Sequence, residues 1–157
     1  MSDKPSLGEG DSTFQAAGRE EGIFNRVDTF YDLMRDRAPY REIWDMHPGK
    51  TPESRDRLAR FLCAWTGGPR LYREKYSPIS ILSAHAHLHI DVRLRDAWLA
   101  CMAEALDACE YPEIFKTYLL DQLAVPAERI RVACARHQAC GRYDDATAFI
   151  PFLSKAR

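Results

Sequence analysis

Apolar positions recur along this chain at helical rather than alternating spacing. Phe24, Val27, Tyr31 and Met34 fall on one stripe, widened by Phe30 and Leu33, and predict a helix that stops near Ala38-Pro39, because proline disfavours a helical predecessor. A short apolar patch, Ile43-Trp44 with Met46, leads into His47-Pro48-Gly49, a turn signal. Leu58, Phe61, Leu62 and Trp65 follow at i, i+3, i+4, i+7, with Thr51 or Ser54 as candidate cap and Pro52 suited to a first turn. Gly67-Gly68-Pro69 should end that helix sharply.

Residues 70–82 are mixed and turn-like. A helix is predicted from about Arg93 to Cys109 on Leu94, Trp98, Cys101 or Met102, and Ala105 or Leu106. Further helical pattern covers 112–124 (Phe115, Tyr118, Leu119, Leu123) and 127–137, which Pro126 should kink or divide. Period-two alternation is confined to 84–90, so the fold class is all-α, with helices too unequal and loops too long for a plain up-down bundle. Residues 1–12 have almost nothing to bury and read as a flexible tail. Residues 13–157 form one domain, whose extension at about 136–157 is apolar enough through Phe149, Ile150, Phe152 and Leu153 to dock.

Composition narrows the function classes. A chain of 157 residues has room for one proper core, and 46% apolar with 29% charged residues is ordinary for a soluble globular protein. The formal charge of −1, without a basic stripe, argues against nucleic acid or an anionic membrane as partner. No apolar run approaches the roughly 18–20 residues of a membrane span, and the N-terminus lacks a secretory signal's apolar segment. Five dispersed cysteines (Cys63, Cys101, Cys109, Cys134, Cys140) form no C-x-x-C pair. Neither a zinc site nor a disulfide framework is indicated, and a reduced cytoplasm is the simplest location.

Three of the five histidines sit at His85, His87 and His89. On a strand their imidazoles would share one face, as in metal-dependent hydrolases, but those draw further ligands from other strands, which this sequence does not offer. On a helix or turn the three point apart and at most one faces the core. From spacing alone, His85 is then a partly buried histidine with a satisfied ring.

Several segments taken in order resemble the group II truncated haemoglobins. They are Val27 to Met34 (VDTFYDLM), Met46-His47-Pro48, Arg57 to Leu62 (RLARFL), Trp65 to Tyr72 (WTGGPRLY), His85 with Ile90, and Arg95 to Met102 (RDAWLACM). The resemblance covers roughly residues 13–135. It implies a shortened globin, a two-over-two helical sandwich around one haem b, with His85 as proximal iron ligand. On the opposite face it implies Tyr31, His47 and Trp98 as hydrogen-bond donors to bound gas, with Ser54 and Leu58 over the iron and Phe61 in the haem wall. The family's arginines just before the proximal histidine are absent from Ile81-Leu82-Ser83-Ala84. Propionate pairing would then fall to Arg57 and Tyr72, with His87 or Lys75 as substitutes.

Three distal donors would hold a bound gas tightly, which suits chemistry better than transport. The expected function is O₂ binding with slow release, for redox chemistry on O₂, NO or peroxide with an external electron donor, including NO dioxygenase or peroxidase-like activity. The expected assembly is a monomer or homodimer. Two alternatives remain at this point. One is a gas or redox sensor acting through a protein partner; the other is a globin-like fold that has lost haem.

Overall fold

The computed structural model describes residues 5–47, 51–78 and 80–140. Their elements are α1 (Ser12–Ala16), α2 (Arg19–Asp36), α3 (Arg41–Asp45), α4 (Thr51–Trp65), α5 (Leu71–Lys75), α6 (Ile81–His85), α7 (Val92–Asp107) and α8 (Glu113–Ala139), with a 3-10 turn at Ala38–Tyr40. Among the described residues there is no strand. No helix of the described residues is long and apolar enough to cross a membrane.

Two helix pairs make the sandwich: α2 packs on α4, α7 packs on α8, and α2 joins the pairs across α7. The predicted stripe on α2 is the reason. Val27, Phe30, Tyr31 and Met34 are all buried at the centre of one core, together with Leu58 of α4 and Cys101, Met102 and Leu106 of α7. Cys63, Cys101 and Cys134 are wholly buried, small hydrophobes as their positions suggested.

Gly67-Gly68 ends α4 for two reasons. Gly67 takes φ +96°, open to glycine at little cost. A side chain on either glycine would also strike the N-terminal segment, at the Gly10 carbonyl or the Phe14 ring. That segment is laid across the end of α4 by a hydrogen bond from Phe14 N–H to the Thr66 carbonyl (3.1 Å). Residues 5–11, part of the stretch read as a tail, form turns in which the Gly8 N–H donates to Thr13 Oγ1 (2.9 Å) and Leu7 packs against the core.

Four local readings are decided by the structure. Residues 70–82, read as mixed and turn-like, carry the helix α5 at Leu71–Lys75. Ser54 is not a helix cap; it lies inside α4 and is buried. Residues 84–90 are not a strand, since α6 occupies 81–85, capped by Ser80 Oγ accepting from the Ser83 N–H, and a turn follows. Pro126 does not divide the C-terminal helix, and α8 runs unbroken from Glu113 to Ala139. Proline there removes only the bond that would reach the Gln122 carbonyl. Leu119, Leu123, Ile130 and Cys134 bury one face on both sides of it. The Pro48-Gly49 turn, residues 1–4 and the apolar segment 141–157 lie outside the described residues.

Candidate functional site

Between the helix pairs lies a cavity of about 740 Å³, counted out to its open mouth, a size within the roughly 300–1,000 Å³ of ligand pockets. Its walls are almost wholly apolar. Leu58, Phe61, Leu62 and Trp65 come from α4, Leu94 and Trp98 from α7, and Leu123, Pro126, Ala127 and Ile130 from α8. His85, the last residue of α6, projects into this wall and is 2% exposed.

The His85 ring is held in a defined state. Nδ1 lies 2.7 Å from the Ile81 carbonyl oxygen. A carbonyl only accepts, so Nδ1 carries the hydrogen, and in the neutral ring Nε2 carries the lone pair. Burial pushes the imidazole pKa down to about 4, against a smaller opposing effect of the Ile81 hydrogen bond, so the ring is neutral at pH 7.

Tyr31 and His47 are brought together, with ring centroids 5.4 Å apart and nearly perpendicular. Phe30 links this pair to the cavity, edge-on to both Tyr31 and Trp98 at 5.2 Å. Burial raises the Tyr31 pKa far above its ordinary value and keeps the O–H protonated, although the Arg55 charge partly counters it. His47 repeats the His85 arrangement, with Nδ1 2.8 Å from the Ile43 carbonyl. A carbonyl only accepts, so the His47 Nδ1 hydrogen is committed to Ile43. Its neighbours Ile43 and Met46 line the cavity directly.

Arg57 and Tyr72 do meet. Arg57 is wholly buried, donates from Nη1 to Tyr72 Oη (2.9 Å), pairs with Glu53 (3.3 Å), and stacks 3.8 Å from the Tyr76 ring centroid. Lys75 is engaged by Asp56 at 2.9 Å. His87 and His89 instead line a separate open cleft with Glu42 and Asp45. Among the described residues, no group of three His, Cys, Asp or Glu side chains could hold a metal ion, which removes the three-histidine metal cluster.

Sequence reasoning missed two parts of the cavity wall. One is the α8 face Leu123, Ala127 and Ile130; its helical spacing was visible, but it crosses Pro126, where a break was expected. The other is Arg95, which lines the wall and whose guanidinium pairs with Asp96 (2.8 Å) and Glu128. Arg131 and Arg95 together hold the Glu128 carboxyl down to about 2.

The chain matches the family model of the bacterial-like globins over residues 12–131. It is 28% identical over 117 residues to the group 2 truncated hemoglobin YjbI of Bacillus subtilis, covering 74% of this chain and 86% of that protein. The solved group II truncated hemoglobin from Bacillus anthracis superposes with a TM-score of 0.70 at 26% identity, over 82% of this chain and 92% of that one. The truncated oxygen-avid haemoglobin from Bacillus subtilis superposes with a TM-score of 0.66 at 28% identity, over 75% and 97%.

Proposed function

The chain belongs to the bacterial-like globin family, and from that premise we propose that it binds one haem b through His85 and retains O₂ or a related small ligand for redox chemistry rather than transport. The observation that carries this reading is the state of His85. A neutral imidazole, its Nδ1 proton committed to Ile81, stands in the wall of a large apolar cavity shared with Trp98. Metal-ligating histidines characteristically donate their other ring N–H to such a partner, which fixes the ring and raises its basicity. The apolar walls suit a macrocycle, and the buried Arg57–Tyr72 pair, set behind the cavity-lining Phe61 ring, would supply a cation and a hydroxyl for its carboxylates.

Haem held there by His85 would supply an iron centre able to bind a small gas. The chain's own residues decide how long the gas stays. Trp98 offers an indole N–H, a donor with no acceptor role, and Tyr31 a permanently protonated hydroxyl. His47 borders Tyr31 as an orienting neighbour, its Nδ1 hydrogen committed to Ile43. A hydrogen bond to a charged group contributes about 1.5–3 kcal/mol, so each donor would slow release by roughly tenfold or more. That the similar truncated haemoglobin of Bacillus subtilis is oxygen-avid supports the same retention.

Retention of this kind fits oxidation of NO by O₂ to nitrate, with one electron per turnover from an external donor. Reduction of peroxide by two electrons is the other chemistry it fits. Haem-loaded protein should show a strong Soret band that His85→Ala greatly weakens; an unchanged band would overturn the axial assignment. Stopped-flow mixing of the oxygen-equilibrated, reduced protein with NO, and of the oxidised protein with peroxide, then decides between the two reactions. Failure of both to proceed faster than free haem would remove the redox role.

A further inference from the structure

The helix that carries His85 is short. α6 is five residues long, and it packs on α8. Its last residue is His85, so whatever fixes the end of α6 also fixes that imidazole. Three α8 residues spaced four apart serve this region: Ile130, Cys134 and Gln138. Ile130 lines the cavity.

Cys134, wholly buried, donates from Sγ to the His85 carbonyl oxygen at 3.1 Å. That oxygen also accepts the Leu88 N–H at 2.9 Å. The Ile90 backbone N–H also faces that sulfur, and Gln138 Nε2 reaches the Leu88 carbonyl at 3.4 Å. One thiol thus holds the start of the 85–90 turn and borders its end, and His85 and Ile90 both stand in the cavity wall. Burial raises the Cys134 pKa, so the sulfur keeps the hydrogen it donates and is not a reactive thiolate. Cys134 and Gln138 both fall beyond residues 12–131, the part matched by the family model.

We propose that Cys134 is a positioning residue, its thiol setting the placement of the His85 ring through the hydrogen bond to the His85 carbonyl. The proposal rests on the reading of His85 as haem ligand.

The test compares Cys134→Ala, which removes the donor, with Cys134→Ser, which keeps one, in haem-loaded protein. Two signals are read: amide hydrogen exchange at Leu88 and Ile90, and the iron–histidine stretching band in resonance Raman of the reduced, gas-free form. Cys134→Ala is expected to speed exchange at Leu88 and Ile90 at least fivefold relative to α2 amides, and to shift or broaden the band. Cys134→Ser should return both toward wild type, which a general loss of packing would not do. Unchanged exchange and band in Cys134→Ala, or no recovery in Cys134→Ser, would overturn the proposal. Should Cys134→Ala fail to fold, Cys134→Val keeps the volume without the donor, and the same two signals decide. A band absent from wild type, or one surviving His85→Ala, would instead sink the haem reading, while the exchange comparison still reports whether the thiol holds the turn.

Discussion

His85 donates its Nδ1 hydrogen to the carbonyl of Ile81, one helical turn upstream, at 2.7 Å. His47 does the same to Ile43 at 2.8 Å. Two buried histidines thus each commit the Nδ1 hydrogen to their own backbone. For the neutral His85 ring this is the state a metal ligand requires. On the proposed reading, bound gas is held chiefly by Tyr31 and Trp98, because the His47 Nδ1 hydrogen is already engaged.

Trp98→Phe should therefore speed O₂ dissociation from the haem-loaded protein by roughly tenfold, and Tyr31→Phe by a similar factor, at about 1.4 kcal/mol per decade. His47→Phe should change the rate less than either. Stopped-flow O₂ release measures all three. A His47 effect larger than both others would reverse the assignment of donors.

Arg57→Met should destabilise the fold. It leaves the Tyr72 hydroxyl without the donor at 2.9 Å, strips Glu53 of its partner and removes the cation stacked on Tyr76. Leaving buried polar groups unmatched costs about 1–3 kcal/mol. Urea unfolding followed by circular dichroism should show a lower midpoint with the slope unchanged. A wild-type midpoint would mean that the buried cation contributes nothing net.

Gly67→Ala should be costlier than a surface substitution, because φ +96° is strained for any side chain and the Gly10 carbonyl occupies the space. The strain alone is about 1–3 kcal/mol. The expected readout is a melting temperature several degrees below wild type; equality would show that the N-terminal segment yields freely.

Asp56 provides a pH signature. Its pKa is affected most by burial, which raises it, but hydrogen bonds from Tyr76 (2.6 Å), Lys75 and Arg60 outweigh this, and the net shift is downward. A carboxyl with a depressed folded pKa stabilises above its unfolded pKa, about 3.9, and loses that contribution as pH falls through the folded value. Asp56→Asn should therefore melt below wild type at pH 7, and the gap should narrow below about pH 4. A gap independent of pH would assign the loss to packing.

Much of the fold was legible because burial on a helix repeats every three to four residues. Val27, Phe30, Tyr31 and Met34 had to share a face, and that face is the core. The glycine pair was legible as a helix end, although its second reason, the N-terminal segment crossing at Gly10 and Phe14, was not. Pro126 misled because a missing donor marks a break only where packing does not hold the helix on both sides.

The site was legible only in part. Tyr31, His47, His85 and Trp98 entered through an ordered resemblance, since each taken alone fits an ordinary core or turn residue. By itself the sequence determined which residues face inward on each helix, because periodicity is a local property of the backbone. Tertiary structure alone decided that Arg95 and the far half of α8 wall the same cavity as His85, that the His47 Nδ1 hydrogen belongs to Ile43, and that Cys134 holds the start of the turn after α6. Those relationships join residues through helix crossings and backbone carbonyls, and neither crossing geometry nor the aim of a carbonyl is written in side-chain periodicity.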